Sequence, residues 1–372
     1  MSDLRISIAH VVLTMESGGL ESVVYDLCRN TDKKKFRPEI ICLQKCDERY
    51  HNLLQELEIP VTIIKKKFKF DIGYFFRVSQ FLKQRKIQIV HAHSGCFFYA
   101  ALFFLLARCK RLIYTAHGLP ILNRLQDKVE DNIAALLCYR IVAVSAEIES
   151  HLKDRLPFAK KKISLILNGI DTDKYKPFKS IEQKADLRRQ YHVPEDSFLV
   201  GTVGRLAPEK NYPMLLKAFL GFNVLAPEIS KHLIFVGDGQ ERTSLEKMTA
   251  QLGLEDMVTF TGNQNHIQNI LPMFDVFALS SITEGTSISL LEAQACGISA
   301  VATDVGGNSN VIKDKYTGYL CPLNDNIEMA QCFQKIFDEP RSFRGNARVH
   351  ILEKFSLSKT IDKYEKIYSE VH

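Results

Sequence analysis

The feature that most constrains this 372-residue chain is a rhythm that runs twice. Short β-rich apolar runs alternate with helical stretches: "RISIAHVVL" (5–13), "RPEIICLQ" (37–44), "VTIIKK" (61–66), "IQIVHAHS" (87–94), "RLIYTAH" (111–117), "RIVAVSA" (140–146) and "KISLILNGID" (162–171). Between the first two lies "LESVVYDLCRN" (20–30), which reads as a helix. A polar stretch with Pro177 and Pro194 interrupts the series at 172–197. It then restarts with "SFLVGTVGRL" (197–206), "KHLIFVGDG" (231–239), "MVTFTG" (257–262), "VFALSS" (276–281), "ISAVATDV" (298–305) and "GYLCP" (318–322). Strand, helix, strand at this spacing means parallel β/α units. The expectation is an α/β chain of two domains, 1–178 and 179–354. From about 325 onward the sequence reads as helical. In open parallel sheets ligands bind beyond the carboxyl ends of the strands. A ligand is therefore expected in a cleft between two facing domains, held by residues that follow strands.

Composition narrows the class. Hydrophobic residues make up 46% and charged residues 25%, which fits a soluble globular chain with a large core. The nine cysteines form no C-x-x-C and no zinc-finger spacing, and reduced, buried thiols in a cytoplasm are expected. The start shows no secretory pattern. The longest uncharged apolar stretch, "GCFFYAALFFLLA" (95–107), is too short to span a bilayer and reads as a buried helix. Charge is uneven. Residues 1–178 carry 29 Lys and Arg against 19 Asp and Glu, while the remainder carries 20 against 24. A basic first half suits an anionic partner such as membrane phosphate or a lipid diphosphate.

The residues after the strands carry the chemistry. Gly18 and Gly19 in "SGGLE" let the backbone approach a ligand at a helix N-terminus, or simply make the turn. No G-x-G-x-x-G is present, which argues against a dinucleotide site. His117, before Gly118, is placed to point into the cleft, donating to a hydroxyl or phosphate or taking a proton. His91 and His93 read equally as hydrogen-bonded core residues. Arg205 and Lys210 in "GRLAPEKN" form a diphosphate clamp, one a fork and one a point charge. Gly237, Gly239 and Gly262 suit a backbone approach to a flat base or a tight turn. In "SSITEGTSISLLEAQACG" (280–297), Glu284 follows a strand and Gly285 turns into a helix. The first helical amides, around Thr286, Ser287 and Ile288, form a second anion site. Glu292 then reaches a vicinal diol such as ribose.

With "GGLE" at 18–21, "TAHG" at 115–118, "LILNGID" at 165–171, "VGRLAPEKN" at 203–211, "VGDG" at 236–239 and "EGTSISLLE" at 284–292, the chain resembles the family-4 retaining glycosyltransferases of the GT-B fold. The resemblance runs over nearly the whole length, and its last element is the family's E-x7-E pair. It implies two Rossmann-like domains, with a last helix (about 355–372) packed back on the first. It implies that Arg205 and Lys210 bind the donor diphosphate and that Glu292 holds the ribose. Glu284 would sit near the donor sugar, His117 would contact that sugar or the acceptor, and Gly18 and Gly19 would close on the donor. Asn211 stands where the family usually has glycine, and Thr286, Ser287 and Ser299 also depart from its pattern.

The implied reaction moves a sugar from a nucleotide diphosphate donor, a UDP-sugar foremost, with no metal and no further cofactor. The acceptor is a glycan or lipid-linked saccharide of cell-surface polysaccharide or glycoconjugate synthesis. "KKKFKF" (65–70) interleaves cations and aromatics, as a peripheral contact with the inner face of the cytoplasmic membrane would. Alternatives on the same pattern are a nucleotide-sugar epimerase, a phosphorylase or a non-enzymatic two-domain binding protein. No nucleic-acid motif is present.

Overall fold

The computed structural model describes residues 4–16, 18–68, 71–119, 124–178 and 180–370, with backbone alone at 340–342 and 344. The chain divides into two compact units, 1–168 with 358–372, and 169–357.

The N-terminal unit is built on seven strands: β1 (Ile6–Met15), β2 (Phe36–Cys46), β3 (Val61–Ile63), β4 (Ile89–His93), β5 (Arg111–Ala116), β6 (Arg140–Ala143) and β7 (Ile163–Leu165). Their order is β3-β2-β1-β4-β5-β6-β7, and every pairing is parallel. The central strands read as unbroken apolar runs because helices cover both faces. One face packs Ala9, Val11, Val90, Ala92 and Leu112 against the helices Ile72–Gln84 and Phe97–Ala107. The opposite face packs Val12, Ile40 and Cys42 against Val24, Cys28 and Leu54 from the helices Gly19–Asn30 and Glu48–Glu56. The stretch 95–107 is thus a helix of one unit, with Ala100, Ala101 and Phe103 buried. Among the described residues no helix is long and apolar enough to cross a membrane.

The last helix, Leu357–Ser369, lies on the N-terminal sheet. Thr360 Oγ1 donates to the Leu167 carbonyl (3.0 Å), Glu365 accepts from the Asp32 amide (2.7 Å), and Tyr139 donates to Glu370 (2.6 Å).

The C-terminal unit repeats the plan with six strands: β8 (Phe198–Val203), β9 (Lys231–Val236), β10 (Val258–Phe260), β11 (Val276–Leu279), β12 (Ser299–Thr303) and β13 (Gly318–Cys321). The order is β10-β9-β8-β11-β12-β13, again all parallel. Gly201 on β8 lacks a side chain where the Phe274 ring lies against the strand.

The boundary falls at 168, not at the expected 178. Residues 169–176 belong with the C-terminal unit for a physical reason. Ile170 exchanges backbone hydrogen bonds with Phe355 (2.8 Å) and Leu357 (3.0 Å), and Arg348 holds the Thr172 and Tyr175 carbonyls. The second boundary correspondingly falls after Leu357 instead of at 354. All nine cysteines are free, with Cys46 and Cys109 half-buried and the others buried.

Candidate functional site

In each sheet the strand order reverses beside the first strand, between β1 and β4 and between β8 and β11. Such a switch point leaves a crevice beyond the carboxyl ends, because the two flanking loops run to opposite faces. In the C-terminal unit those loops are 204–211 and 280–287, the two stretches singled out for the donor.

Lys210 and Glu284 meet there. Lys210 Nζ lies 2.6 Å from Glu284 Oε1, with side chains 20% and 10% exposed. Ser281 Oγ donates to the same carboxylate at 2.6 Å. Ser280 Oγ donates to the Lys210 carbonyl (2.8 Å), and the Ile282 amide donates to the Glu209 carbonyl (2.8 Å). The two loops are therefore sewn together by both backbone and side chains. Arg205 is exposed and pairs with Glu209 at 2.8 Å. Such an exposed pair contributes little and yields readily to a better anion.

Glycines make the close packing of these loops feasible. A Cβ on Gly237 (φ +145°) would run into the Gly204 carbonyl, one on Gly239 into the Leu206 carbonyl, and one on Gly306 (φ +58°) into the Glu284 carbonyl. At Gly237 the neighbouring loop takes the space of a Cβ, so glycine is needed for the packing of the two loops. Gly262 (φ +69°) pairs with Gly237 through a 3.0 Å backbone hydrogen bond and faces the Arg242 guanidinium.

The helix after Glu284 starts later than expected. It runs Ile288–Ala295, with Ser287 as N-cap accepting from the Leu290 amide at 3.4 Å. Thr286 and Ser287 thus precede the helix, both buried, and only Ile288 is within it. The cap moves the start because a serine side chain takes over one of the first helical amides. Glu292 is a buried residue in the middle of this helix, and Gly297 (φ +76°) follows it.

In the N-terminal unit Gly18 caps the helix that begins at Gly19, with Glu21 close by, and Ser17 lies outside the described residues. His117 follows β5, half-buried, its amide donating to Ser94 Oγ at 2.8 Å. Its Nε2 meets His93 Nδ1 at 2.9 Å, and His93 Nε2 meets His10 Nδ1 at 3.1 Å. His91 is bonded to Tyr368 and Thr115, each at 2.8 Å, and Thr115 to Tyr364 at 3.2 Å. His91 and His93 are thus hydrogen-bonded core residues. Burial pushes His10 and His117 down to about 3 and holds His91 and His93 well below the usual range. Ligand atoms of His10, His91 and His93 lie within 4.8 Å of one another, but every ring nitrogen of the three except His10 Nε2 is already hydrogen-bonded.

A cavity of about 490 Å³ opens at the carboxyl ends of β1 and β2, lined by Leu13, Leu43, Lys45, Lys65, Tyr74 and Tyr99 among others. Lys66, also in its wall, donates to Tyr99 OH at 3.0 Å and sits 4.4 Å from that ring's centre. On the segment that follows Lys66, Phe68, Ile72 and Phe76 are exposed. Lys69 and Phe70 of "KKKFKF" lie outside the described residues. The sequence missed Lys45, Tyr74, Tyr99 and His10, because each is brought to its place by a different strand or helix.

Comparison with known proteins agrees across the chain. The family described as "Glycosyltransferase Family 4" matches residues 17–174, and "Glycosyl transferases group 1" matches 183–350. The chain is 26% identical to the UDP-Gal:alpha-D-GlcNAc-diphosphoundecaprenol alpha-1,3-galactosyltransferase of Escherichia coli, over 99% of this chain and 97% of that one. It is 27% identical to the N-acetyl-alpha-D-glucosaminyl L-malate synthase of Bacillus anthracis, over 81% and 80%. In structure it is similar to Anabaena HepE in complex with UDP and glucose (TM-score 0.87, 21% identity, 98% and 100% covered). It is also similar to a glycosyltransferase from Rickettsia africae (TM-score 0.85, 21% identity, 99% and 98% covered). Two parallel Rossmann-like sheets, a cation–carboxylate cluster at one switch point and these likenesses agree, and the chain belongs to the family-4 glycosyltransferases of the GT-B fold.

Proposed function

We propose that this chain transfers a sugar from a UDP-sugar to a lipid-diphosphate-linked glycan, without a metal ion and with retention at the anomeric carbon. The setting would be cell-surface polysaccharide or glycoconjugate synthesis at the inner face of the cytoplasmic membrane. The observation that carries the reading is the Lys210–Glu284 pair at the switch point of the C-terminal sheet. A lysine ammonium has three donors, so Lys210 can keep Glu284 and still take a phosphate oxygen. Arg205 would exchange its exposed partner for the diphosphate, and the amides opening the 288–295 helix would add to the same anion site. Glu292 would accept from the ribose hydroxyls. In the transfer, the bond from the anomeric carbon to the phosphate oxygen breaks and a bond to the acceptor oxygen forms on the same face. The acceptor's proton passes to the departing phosphate, and the cations offset the charge that develops there. Glu284, already accepting from Lys210 and Ser281, suits orienting the sugar better than attacking it.

The acceptor reading rests on the cavity walled by Lys45, Lys65 and Lys66 over Leu13, Leu43, Tyr74 and Tyr99. Cations above an apolar floor fit a phosphate that carries a hydrocarbon, and the exposed Phe68, Ile72 and Phe76 on the segment after Lys66 fit a bilayer surface. The similarity to the Escherichia coli enzyme, whose name gives UDP-Gal and a diphosphoundecaprenol acceptor, supports both halves.

A thermal-shift series with UDP, GDP, ADP and their sugars tests the donor. At a hundredfold excess over Kd a bound nucleotide stabilises by about 2.7 kcal/mol, so UDP should raise the melting temperature where GDP and ADP do not. Transfer to a short polyprenyl diphosphate saccharide should survive EDTA and give a product of the donor's anomeric configuration. Anionic liposomes should retain the protein at low salt. Equal response to all three nucleotides, an inverted product, activity lost to EDTA, or no liposome binding would each remove the corresponding part.

A further inference from the structure

We infer that His10 and His93 are positioning residues that tie the tautomer of His117 to their own, through an unbroken chain of three imidazoles. The inference rests on the reading of His117 as a side chain that faces the substrate. His93 makes both of its ring hydrogen bonds to other imidazoles, His117 Nε2 at 2.9 Å and His10 Nδ1 at 3.1 Å. A neutral imidazole has one donor and one acceptor nitrogen. Whichever nitrogen of His93 donates, the other must accept, and each neighbour must complement it. The three rings therefore share one sense: all carry the proton on Nδ1, or all carry it on Nε2.

A mixed arrangement would set two N–H groups or two lone pairs face to face inside the fold. His10 and His93 are fully buried, so no water relieves such a clash. The far end of the chain is closed, because His10 Nε2 is buried and has no partner. The near end is His117 Nδ1, which makes no hydrogen bond among the described residues. The rings are held in place by the fold. His10 on β1 is in register with His91 on β4, and His93 on β4 with Thr115 on β5. His91 is tied separately to Tyr368 and Thr115, so it stands beside the chain without branching it.

The consequence is that the polarity His117 Nδ1 presents to a sugar hydroxyl is set jointly with His93 and His10, where a free imidazole would divide itself between two on its own. Burial, which holds these rings uncharged, keeps the chain neutral. His117 then serves as a preset hydrogen-bonding group and not as an exchanging base.

Long-range proton–nitrogen NMR on the full chain labelled at histidine reads the tautomers directly. It does so without turnover, so it stands or falls separately from the proposed reaction. The expected result is one tautomer of the same sense for His10, His93 and His117. Unlike tautomers, or a mixture at His117 that His10 and His93 do not share, would overturn the inference. In His93→Leu the His117 tautomer should become mixed and kcat/KM should fall about tenfold, the size of one hydrogen bond. His93→Gln, whose amide can donate or accept, should restore both. A His117 tautomer unchanged in His93→Leu, or equal impairment of the two variants, would show that His93 only fills space.

Discussion

Asn211, where the resemblance leads one to expect glycine, has a left-handed backbone (φ 50°). Asparagine is the residue after glycine that best tolerates this region, and its side chain gains a 3.0 Å hydrogen bond to Asn324. The departure therefore keeps the turn that sets Lys210 against Glu284. At this scale the clamp is testable. Arg205→Ala or Lys210→Ala should each lower kcat/KM by the roughly 1.5–3 kcal/mol of a charged hydrogen bond, about ten- to a hundredfold. The Lys210 variant should lose more, because it also leaves Glu284 without its cation. Steady-state kinetics with unchanged values for both would remove them from the donor site.

The Ile72–Gln84 helix shows how one cap organises a surface. Asp71 is buried, accepts from the Tyr74 amide at 3.0 Å and the Lys67 amide at 2.9 Å, and pairs with Arg77 at 2.7 Å. Arg77 holds its carboxyl down to about 2. One side chain thus fixes the helix start, the loop bearing Lys65 and Lys66, and the placing of Phe68, Ile72 and Phe76. Asp71→Ala should lower the midpoint of urea unfolding, because the helix cap and the bridge to Arg77 are lost together. It should weaken liposome binding as well, although it adds one net positive charge. Stronger liposome binding in that variant would mean that net charge, not the ordered surface, drives the contact.

Over the whole chain, the two units differ in what acid does to them. His10, His91 and His93 are buried neutral in the N-terminal unit, with folded pKa values far below the unfolded 6.5. The unfolded state then binds more protons below 6.5, so stability is fully present above that pH. It falls as the pH drops toward the folded values. Three such groups withdraw at most about 4 kcal/mol per pH unit, against a typical total of 5–15 kcal/mol. Hydrogen exchange between pH 8 and 4 should show the N-terminal sheet losing protection first. The C-terminal unit carries His232, lowered to about 4, and a lowered His350, so it should follow. Loss in the reverse order would mean that other groups dominate.

Alternation of apolar runs was enough to place thirteen strands, because a parallel strand buried on both faces must be apolar throughout and cannot be mistaken in series. The motifs after β8 and β11 were legible for the same local reason: charged residues and glycines have few other uses at a strand end. Neither the strand order nor its reversal between β8 and β11 is written in any one stretch, and only that reversal makes Lys210 and Glu284 neighbours. The histidine chain needed three strands in register, and the lysine-walled cavity needed two strands, a loop and two helices to converge. Local sequence determined which elements form, since propensity and burial act within a few residues. Contacts across 74 to 277 positions were decided by sheet order and by the packing of the last helix on the N-terminal sheet.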